Sequence, residues 1–413
     1  MTVPSPTDAR PGLSGVDIPL LDPDASRRLF ERYDIGPNDG DGRLIVVAMS
    51  GGVDSAVTSL LLRERGYRVV GINMRLYTPP EGEEYPNPCC APEALEDARI
   101  AARRIGVPFY PINLEREFED TVINYFVDEY ARGRTPNPCL ECNREVKFKA
   151  LIDRARRIGA QFLATGHYAR IERGSDGLYH LLEAVDETKD QSYVLYAMSQ
   201  EQLGFMKFPL GNLLKSEVRE IAGLYGLDVA NKPDSQETCF VGKSAYAEFV
   251  LSRRPGLDSP GEIVMRDGRV VGRHDGLIGF TVGQRRGIGV SYSEPLYVLS
   301  LDTDANRLVV GTRDELAFTS LIATRAALTS DDWPEEPFEA EARVRYQGER
   351  YPAIVEPLER GRMRIQFGGP SDQPPRAVAP GQAVVLYRGD EVLGGGTIDS
   401  GETALPLRLE PSS

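Results

Sequence analysis

The sequence predicts an α/β protein: a parallel sheet covered by helices, then a small central β-rich domain and a C-terminal β-barrel-like domain. Three observations predict it. Between residues 44 and 164 short apolar runs alternate with helical periodicities. The first run ends in the glycine-rich turn Ser50-Gly51-Gly52-Val53-Asp54-Ser55. Beyond Gly261 the helical periodicity stops, and short strands bounded by turn residues take over.

Residues 1–40, rich in Pro, Gly and Asp, read as an N-terminal extension. The sheet domain is expected over 41–250. Its strands are expected at 44–49, 67–73, 108–112 and 161–164, its helices at 55–65, 92–105, 118–130 and 145–158. Strands with helices between them make a mostly parallel sheet, which binds ligands beyond the C-terminal ends of its strands. Residues 49–55, 73–74 and 165–168 all fall at such ends, so three segments should meet around one crevice. The central domain, 251–318, opens with a hairpin across Asp267-Gly268 and continues with strands at 277–281, 296–301 and 307–310. The last domain, 319–413, carries strands at 338–346, 350–355, 362–367, 382–387 and 392–398, a barrel pattern.

The chain has 413 residues, 41% hydrophobic and 27% charged, a globular composition too long for one small core. No apolar run approaches the roughly 20 residues of a membrane span, and residues 1–10 lack the apolar centre of a secretory leader. A cytoplasmic protein without a membrane partner is the expectation. Five cysteines, Cys89, Cys90, Cys139, Cys142 and Cys239, all fall before residue 240. An odd count in a long chain argues for chemistry over stapling. The net charge of −14 sits poorly with a nucleic-acid partner unless basic residues gather on one face. Residues 143–157, with six Lys/Arg against two acids, and Gln284-Arg285-Arg286 are the basic spots.

A glycine-rich turn between strand and helix offers backbone N–H groups and hydroxyls to a phosphate. This one lacks the lysine of the GxxxxGK[ST] pattern. Asp54 beside a phosphate cradle needs a cation or a hydrogen bond to offset it, and nucleotide-bound Mg²⁺ would serve. Cys139 and Cys142 form a CxxC ahead of the helix expected at 145–158, so Cys142 near a helix N-terminus should favour a thiolate. A CxxC can be a redox pair, part of a metal site, or one nucleophile with a bystander. Cys239 follows a polar loop, an unusual place for a structural cysteine. His167, in Ala-Thr-Gly-His-Tyr, lies where chemistry is expected. His180 reads as structural and His274 as surface. Lys189, in Lys-Asp-Gln-Ser, can meet a phosphate or be a solvated charge.

The stretches SGGVDS (50–55), TPNPCLECN (135–143) with its trailing VKF, ATGHY (164–168), KDQSY (189–193), DSQETCF (234–240), GEIV (261–264), GFTVGQRRG (279–287) and PGQ (380–382) occur in that order. On them, residues 43–400 resemble the bacterial tRNA-specific 2-thiouridylases, PP-loop ATP pyrophosphatases. The resemblance implies that ATP with Mg²⁺ adenylates the C2 oxygen of a wobble uridine, and that sulfur from a relay protein replaces it. It implies a persulfide on Cys239, Cys142 as nucleophile, and a transient disulfide between them. Ala48, Met49, Ser50, Gly51, Gly52, Val53, Asp54, Ser55, Met74 and Gly166 would hold ATP. Asn137, Pro138 and Cys139 would contact the base. His167, Lys189, Asp190, Gln191, Arg345, Tyr346 and Gln382 would contact tRNA. Cys139 departs from the pattern, since some members have Asp there. It completes a set, Cys139, Cys142 and Cys239, like that with which related enzymes hold a [4Fe-4S] cluster, and the same reaction then runs on a cluster. Cys89 and Cys90 are given no role. Two other readings share parts of the sequence: an amide-forming PP-loop synthetase and a non-catalytic RNA-binding module.

Overall fold

The structure is a computed structural model, and it describes residues 32, 39–80, 82, 85, 91–227, 229, 239–241, 246–368 and 374–403. Cys89, Cys90, residues 234–238 and nearly all of the N-terminal extension lie outside the described residues.

Five parallel strands form the first sheet, in the order β3-β2-β1-β4-β7. They are β1 (Leu44–Ala48), β2 (Arg68–Arg75), β3 (Phe109–Asn113), β4 (Phe162–Ala164) and β7 (Met206–Lys207). Alternation along β1 divides its side chains between two layers. Ile45 and Val47 pack with the helices Val53–Glu64 and Pro92–Ile105. Val46 and Ala48 pack on the other face with Phe148 and Leu151. Both faces being covered is why β1 reads as an unbroken apolar run, each buried Val or Ile contributing about 1.5–3 kcal/mol. The chain adds β2 and β3 on one side of β1 and β4 on the other. The crevice therefore opens at the C-terminal ends of β1 and β4, where the strand order reverses.

The helix expected from residue 145 begins earlier, at Pro138, and runs to 157. Asn137 caps it, its side-chain oxygen accepting from the Cys139 N–H at 3.0 Å. Its turns widen to i→i+5 bonding over Cys142–Ala150. The CxxC thus lies inside the helix.

The central sheet is built from β8 (Gly261–Met265), β9 (Val270–His274), β10 (Tyr297–Asp302) and β11 (Arg307–Gly311) in the order β10-β11-β8-β9, with β8 and β9 forming the hairpin. Residues 277–279, expected as strand, form a single 3₁₀ turn instead. His274 is a second correction: it is only 4% exposed, and its Nδ1 accepts from the Gly276 N–H at 3.1 Å. The polar sequence around it suggested surface, but the turn folds back over the ring.

The C-terminal strands close into a barrel, because β12 (Phe318–Leu328) pairs with both β15 (Arg362–Phe367) and β17 (Glu391–Thr403). The strand expected around Tyr179 and His180 is β6 (Tyr179–Leu182), whereas β12 and the pairing of β6 with β5 (Arg170–Arg173) as a hairpin were not anticipated. That hairpin leaves the first sheet and pairs with β17 at Leu181↔Val392. His180 fastens it, bridging Glu391 at 2.6 Å and Asp176 at 3.2 Å, and the Glu391 hydrogen bond raises its pKa. Among the described residues no helix is long and apolar enough to cross a membrane.

Candidate active site

The C-terminal ends of β1, β2 and β4 open into a cavity of about 280 Å³. Ala48, Met49, Ser50, Asp54 and Ser55 line it from the glycine turn, Asn73 and Met74 from β2, and Thr165, Gly166 and His167 from the end of β4. The three expected segments do meet. Pro138, Cys139, Cys142 and Lys147 join them from the long helix, Gln191 from a loop, and Cys239 with Phe240 from the far side.

The turn is held by its own side chains. The Ser50 N–H donates to Ser55 Oγ at 3.1 Å, and Ser55 Oγ donates to the Gly52 carbonyl at 3.1 Å. Asn73 Nδ2 ties the Met49 carbonyl at 2.8 Å. Gly51 has φ +80°, and a Cβ there would lie 2.2 Å from the Ala94 carbonyl oxygen. Gly51, Gly52 and Val53 therefore shape the cradle without lining the cavity. A Cβ on Gly166 would stand 3.0 Å from the Asp54–Ser55 backbone, so this glycine lets β4 close on the helix start.

Asp54 is offset by an ion pair. Lys215 Nζ lies 2.7 Å from each carboxylate oxygen, and the Tyr168 hydroxyl donates at 2.9 Å. Among the described residues Asp54 is the one carboxylate lining the cavity, so nucleotide-bound Mg²⁺ would meet a carboxylate already matched by a lysine. Lys215 was missed in the sequence because nothing local marks it. Only the fold brings residue 215 to residue 54.

The thiols differ from the sequence expectation. Cys142 is 5% exposed, and burial pushes its pKa up to about 12 against the pull of Lys147. The expected thiolate at a helix N-terminus is thus corrected. Cys142 sits one turn into the helix among Phe118, Val146 and Phe240, and the cost of desolvating the anion exceeds the helix-end field. Cys139 is exposed, but into a concavity ringed by protein, and that loss of bulk water raises its thiol to about 11. None of Cys139, Cys142 and Cys239 is in a disulfide. Cys239 is positioned by its neighbour: the Phe240 ring packs edge-on against Phe118 and Phe126 at 5.5 and 5.2 Å. Among the described residues no group of three or more His, Cys, Asp or Glu converges as a metal-binding set. The three thiols share the cavity.

Lys147 was legible only as one charge of the basic segment 143–157. Its neighbours there are engaged: Lys149 with Glu145, Arg154 with Glu117, Arg156 with Glu201. Lys147 has no carboxylate partner among the described residues and turns to the cavity. His167 is held neutral, its pKa well below the usual range through burial and the Lys147 charge, with Nδ1 2.6 Å from Thr165 Oγ.

The remaining site candidates lie off the cavity. Asn137 is the helix cap. The Asp190 carboxylate accepts from the Ala184 and Ser192 N–H groups at 3.0 and 3.2 Å and from Ser192 Oγ at 2.8 Å, which organises the loop carrying Gln191. Lys189 precedes it at the surface of that loop. Tyr346, 42% exposed, donates to the Asp190 carbonyl at 3.0 Å, and Arg345 beside it is exposed. Gln382 Nε2 donates to the Thr135 carbonyl at 2.6 Å, joining the barrel to the segment before the CxxC.

A parallel sheet with a hydroxyl-lined glycine turn at its switch point, facing a wall of thiols, defines a PP-loop nucleotide-binding enzyme. Residues 43–243 match the family model described as tRNA methyl transferase HUP domain, 248–312 its PRC-barrel domain, and 318–398 an aminomethyltransferase beta-barrel domain. The tRNA-specific 2-thiouridylase MnmA of Geobacter metallireducens is 49% identical over 368 residues, covering 87% of this chain and 97% of that one. Those of Carboxydothermus hydrogenoformans and Roseiflexus castenholzii are 46% and 44% identical, each over 86% of this chain and 97% and 98% of their own. The chain belongs to the tRNA-specific 2-thiouridylase family.

Proposed function

We propose that this protein carries out ATP-dependent 2-thiolation of the wobble uridine of tRNA, with sulfur delivered as a persulfide on Cys239 by a donor protein and Cys142 as nucleophile. One observation carries the reading: Cys139, Cys142 and Cys239 line the same cavity as Ser50, Asp54 and Ser55. Activation and sulfur transfer then share one chamber.

The glycine turn and its hydroxyls hold the ATP phosphates, and Ala48, Met49, Met74 and Gly166 wall the nucleotide. Bound Mg²⁺ supplies charge neutralisation for the departing pyrophosphate. The uridine leaves the anticodon stack to enter the cavity, past Asn137, Pro138 and Cys139. Its C2 oxygen attacks the α-phosphate, and pyrophosphate leaves. The terminal sulfur on Cys239 attacks C2, and AMP departs with the former carbonyl oxygen. The Cys142 thiolate then attacks Cys239 Sγ. The S–S bond breaks, its electron pair stays with the second sulfur as the C2 thiocarbonyl, and a Cys142–Cys239 disulfide remains for an external dithiol to reduce. Cys142 must first lose its proton, and the Lys147 charge favours the anion. Gln191, His167 and Lys189 lie on the RNA side, with Arg345 and Tyr346 on the barrel. Asp190 and Gln382 act through the loops they hold. Arg285 and Arg286, exposed and without acidic partners among the described residues, add positive charge for the RNA backbone.

The test is incubation with ATP, Mg²⁺, a persulfide donor and cognate tRNA, followed by mass analysis of the nucleosides. A gain of one sulfur on wobble uridine is expected. No gain, with or without oxygen, refutes the reaction. Iron in the active, anaerobically purified protein would replace the persulfide by a [4Fe-4S] carrier on Cys139, Cys142 and Cys239, for which the third thiol in the cavity is the argument. Activity kept by Cys239→Ala would favour an amide-forming synthetase. Absence of tRNA-dependent pyrophosphate release would leave only an RNA-binding module.

A further inference from the structure

Outside the cavity, one contact joins the C-terminal barrel to the middle of the CxxC. Strand β12 shifts register against β17 at three places, the last of them between Thr324 and Ala327. Arg325, in that bulge, has φ +50°, the left-handed region that a non-glycine residue in a strand rarely occupies. A bulge bends the strand and re-aims a side chain, and such strain persists where the surroundings hold it. Here it swings the guanidinium off the barrel onto Glu141. Nη1 and Nη2 pair with Oε1 and Oε2 at 2.8 and 2.9 Å, a bidentate fork. The guanidinium also lies 5.1 Å from the centroid of the Tyr125 ring. Glu141 is 5% exposed, and its other basic neighbour, Arg144, stands 3.7 Å away. Glu141 is the residue immediately before Cys142.

The same short segment is held twice more. The Thr135 N–H donates to the Pro380 carbonyl at 2.8 Å while Gln382 grips the Thr135 carbonyl. Arg134 reaches Asp399 at 2.8 Å and the Ile398 carbonyl at 3.0 Å. Three barrel contacts over residues 134–141 thus fix the helix start that carries Cys139 and Cys142. None of the barrel residues involved lines the cavity.

We infer that Arg325 is a positioning residue for sulfur transfer: through Glu141 the barrel sets the attitude of Cys142, so the domain that helps grip RNA also aligns the nucleophile. The inference rests on the proposed role of Cys142. It places Arg325 in the sulfur step and outside the adenylation step, because the glycine turn has no contact with the barrel arginine.

The experiment uses the full-length chain with Arg325→Met and Arg325→Lys. Three quantities are read: tRNA-dependent pyrophosphate release, the kcat of thiolation, and the iodoacetamide labelling rate of Cys142 by peptide mass analysis. For Arg325→Met, thiolation kcat should fall about 10- to 100-fold, the scale of an ångström-sized misplacement. Pyrophosphate release and the KM for tRNA should stay within about twofold, and Cys142 labelling should quicken about fivefold or more as its site loosens. Arg325→Lys, which keeps the charge and loses the fork, should fall between. Unchanged Cys142 labelling overturns the inference. So does a parallel loss of pyrophosphate release, tRNA affinity and thiolation. If Arg325→Met fails to fold, the double variant Glu141→Gln/Arg325→Met removes the stranded charge: slow thiolation in a folded double variant supports the inference, and wild-type thiolation overturns it. Labelling does not depend on the reaction, so a wild-type protein that adds no sulfur refutes the proposed function alone.

Discussion

The two walls of the cavity are built in opposite ways. The nucleotide wall is six consecutive residues and two strand ends, closed by hydrogen bonds between near neighbours such as Ser50 to Ser55. The sulfur wall is assembled from afar. Cys239 arrives about a hundred residues after Cys142, and both lean on an aromatic cluster centred on Phe240. The helix that carries Cys142 is pinned by the barrel through Arg325 and Gln382. A wall written in one turn depends on backbone conformation. A wall gathered from three regions depends on packing, and packing is what sets the thiol chemistry.

The sharpest way to separate the walls is to remove the thiols. Cys239→Ala and Cys142→Ala should each lower sulfur incorporation by about 10³-fold or more, the order seen when a nucleophile is lost. Both should keep tRNA-dependent pyrophosphate release, measured with a coupled phosphate assay. Loss of pyrophosphate release in either variant would mean that the walls do not act in separate steps.

The second prediction follows from the raised thiols. With the Cys142 pKa pushed up to about 12 by burial, the group is a neutral thiol at pH 7 in the resting protein. Its thiolate fraction, and with it the alkylation rate, should rise about tenfold for each pH unit from 7 to 10. Cys139, whose thiol burial raises to about 11, should show the same rise over that range. A plateau for Cys142 below pH 9 would show the helix end winning over burial, as the sequence alone suggested.

That reversal marks the limit of what the residues reveal. The glycine turn, the order of the first strands and the convergence at residues 49–55, 73–74 and 165–168 follow from local patterns, and these are legible because hydrophobic period and turn chemistry are short-range. The state of Cys142 was misread because a helix N-terminus is visible in sequence, whereas Phe118 and Phe240 closing over the sulfur is a tertiary event. Lys215 on Asp54 and Arg325 on Glu141 are of the same kind, ion pairs across 161 and 184 residues. The pairing of β6 with β17 is not legible locally because the two strands lie far apart in the chain.

Phe240→Ala tests the packing of the sulfur wall directly. Its ring is 1% exposed and touches Phe118, Phe126 and Phe249. Truncation should cost about 3–5 kcal/mol of stability. At a temperature where the variant stays folded, thiolation should fall further than pyrophosphate release, because Cys239 loses its anchor while the glycine turn does not. Equal losses of both would argue that the aromatic cluster supports the whole cavity.

The smallest effect tests the other wall by backbone alone. At Gly51 a methyl group meets two obstacles: the left-handed φ of +80° and the Ala94 carbonyl oxygen 2.2 Å from the new Cβ. Either the turn opens or the helix Pro92–Ile105 retreats, at about 1–3 kcal/mol of strain. The next glycine is an internal control. Gly52 has φ −93°, and its added Cβ would meet nothing nearer than Ser50 Oγ at 3.5 Å, an ordinary contact. Gly51→Ala should therefore raise the KM for ATP about tenfold, the equivalent of roughly 1.4 kcal/mol within that strain, and lower the melting temperature. Gly52→Ala should change both little, and the labelling rate of Cys142 should match wild type in each. If the two alanine variants behave alike, the conformation of the turn is not what holds the nucleotide. If Gly51→Ala also speeds Cys142 labelling, strain crosses from one wall to the other and the division between them fails.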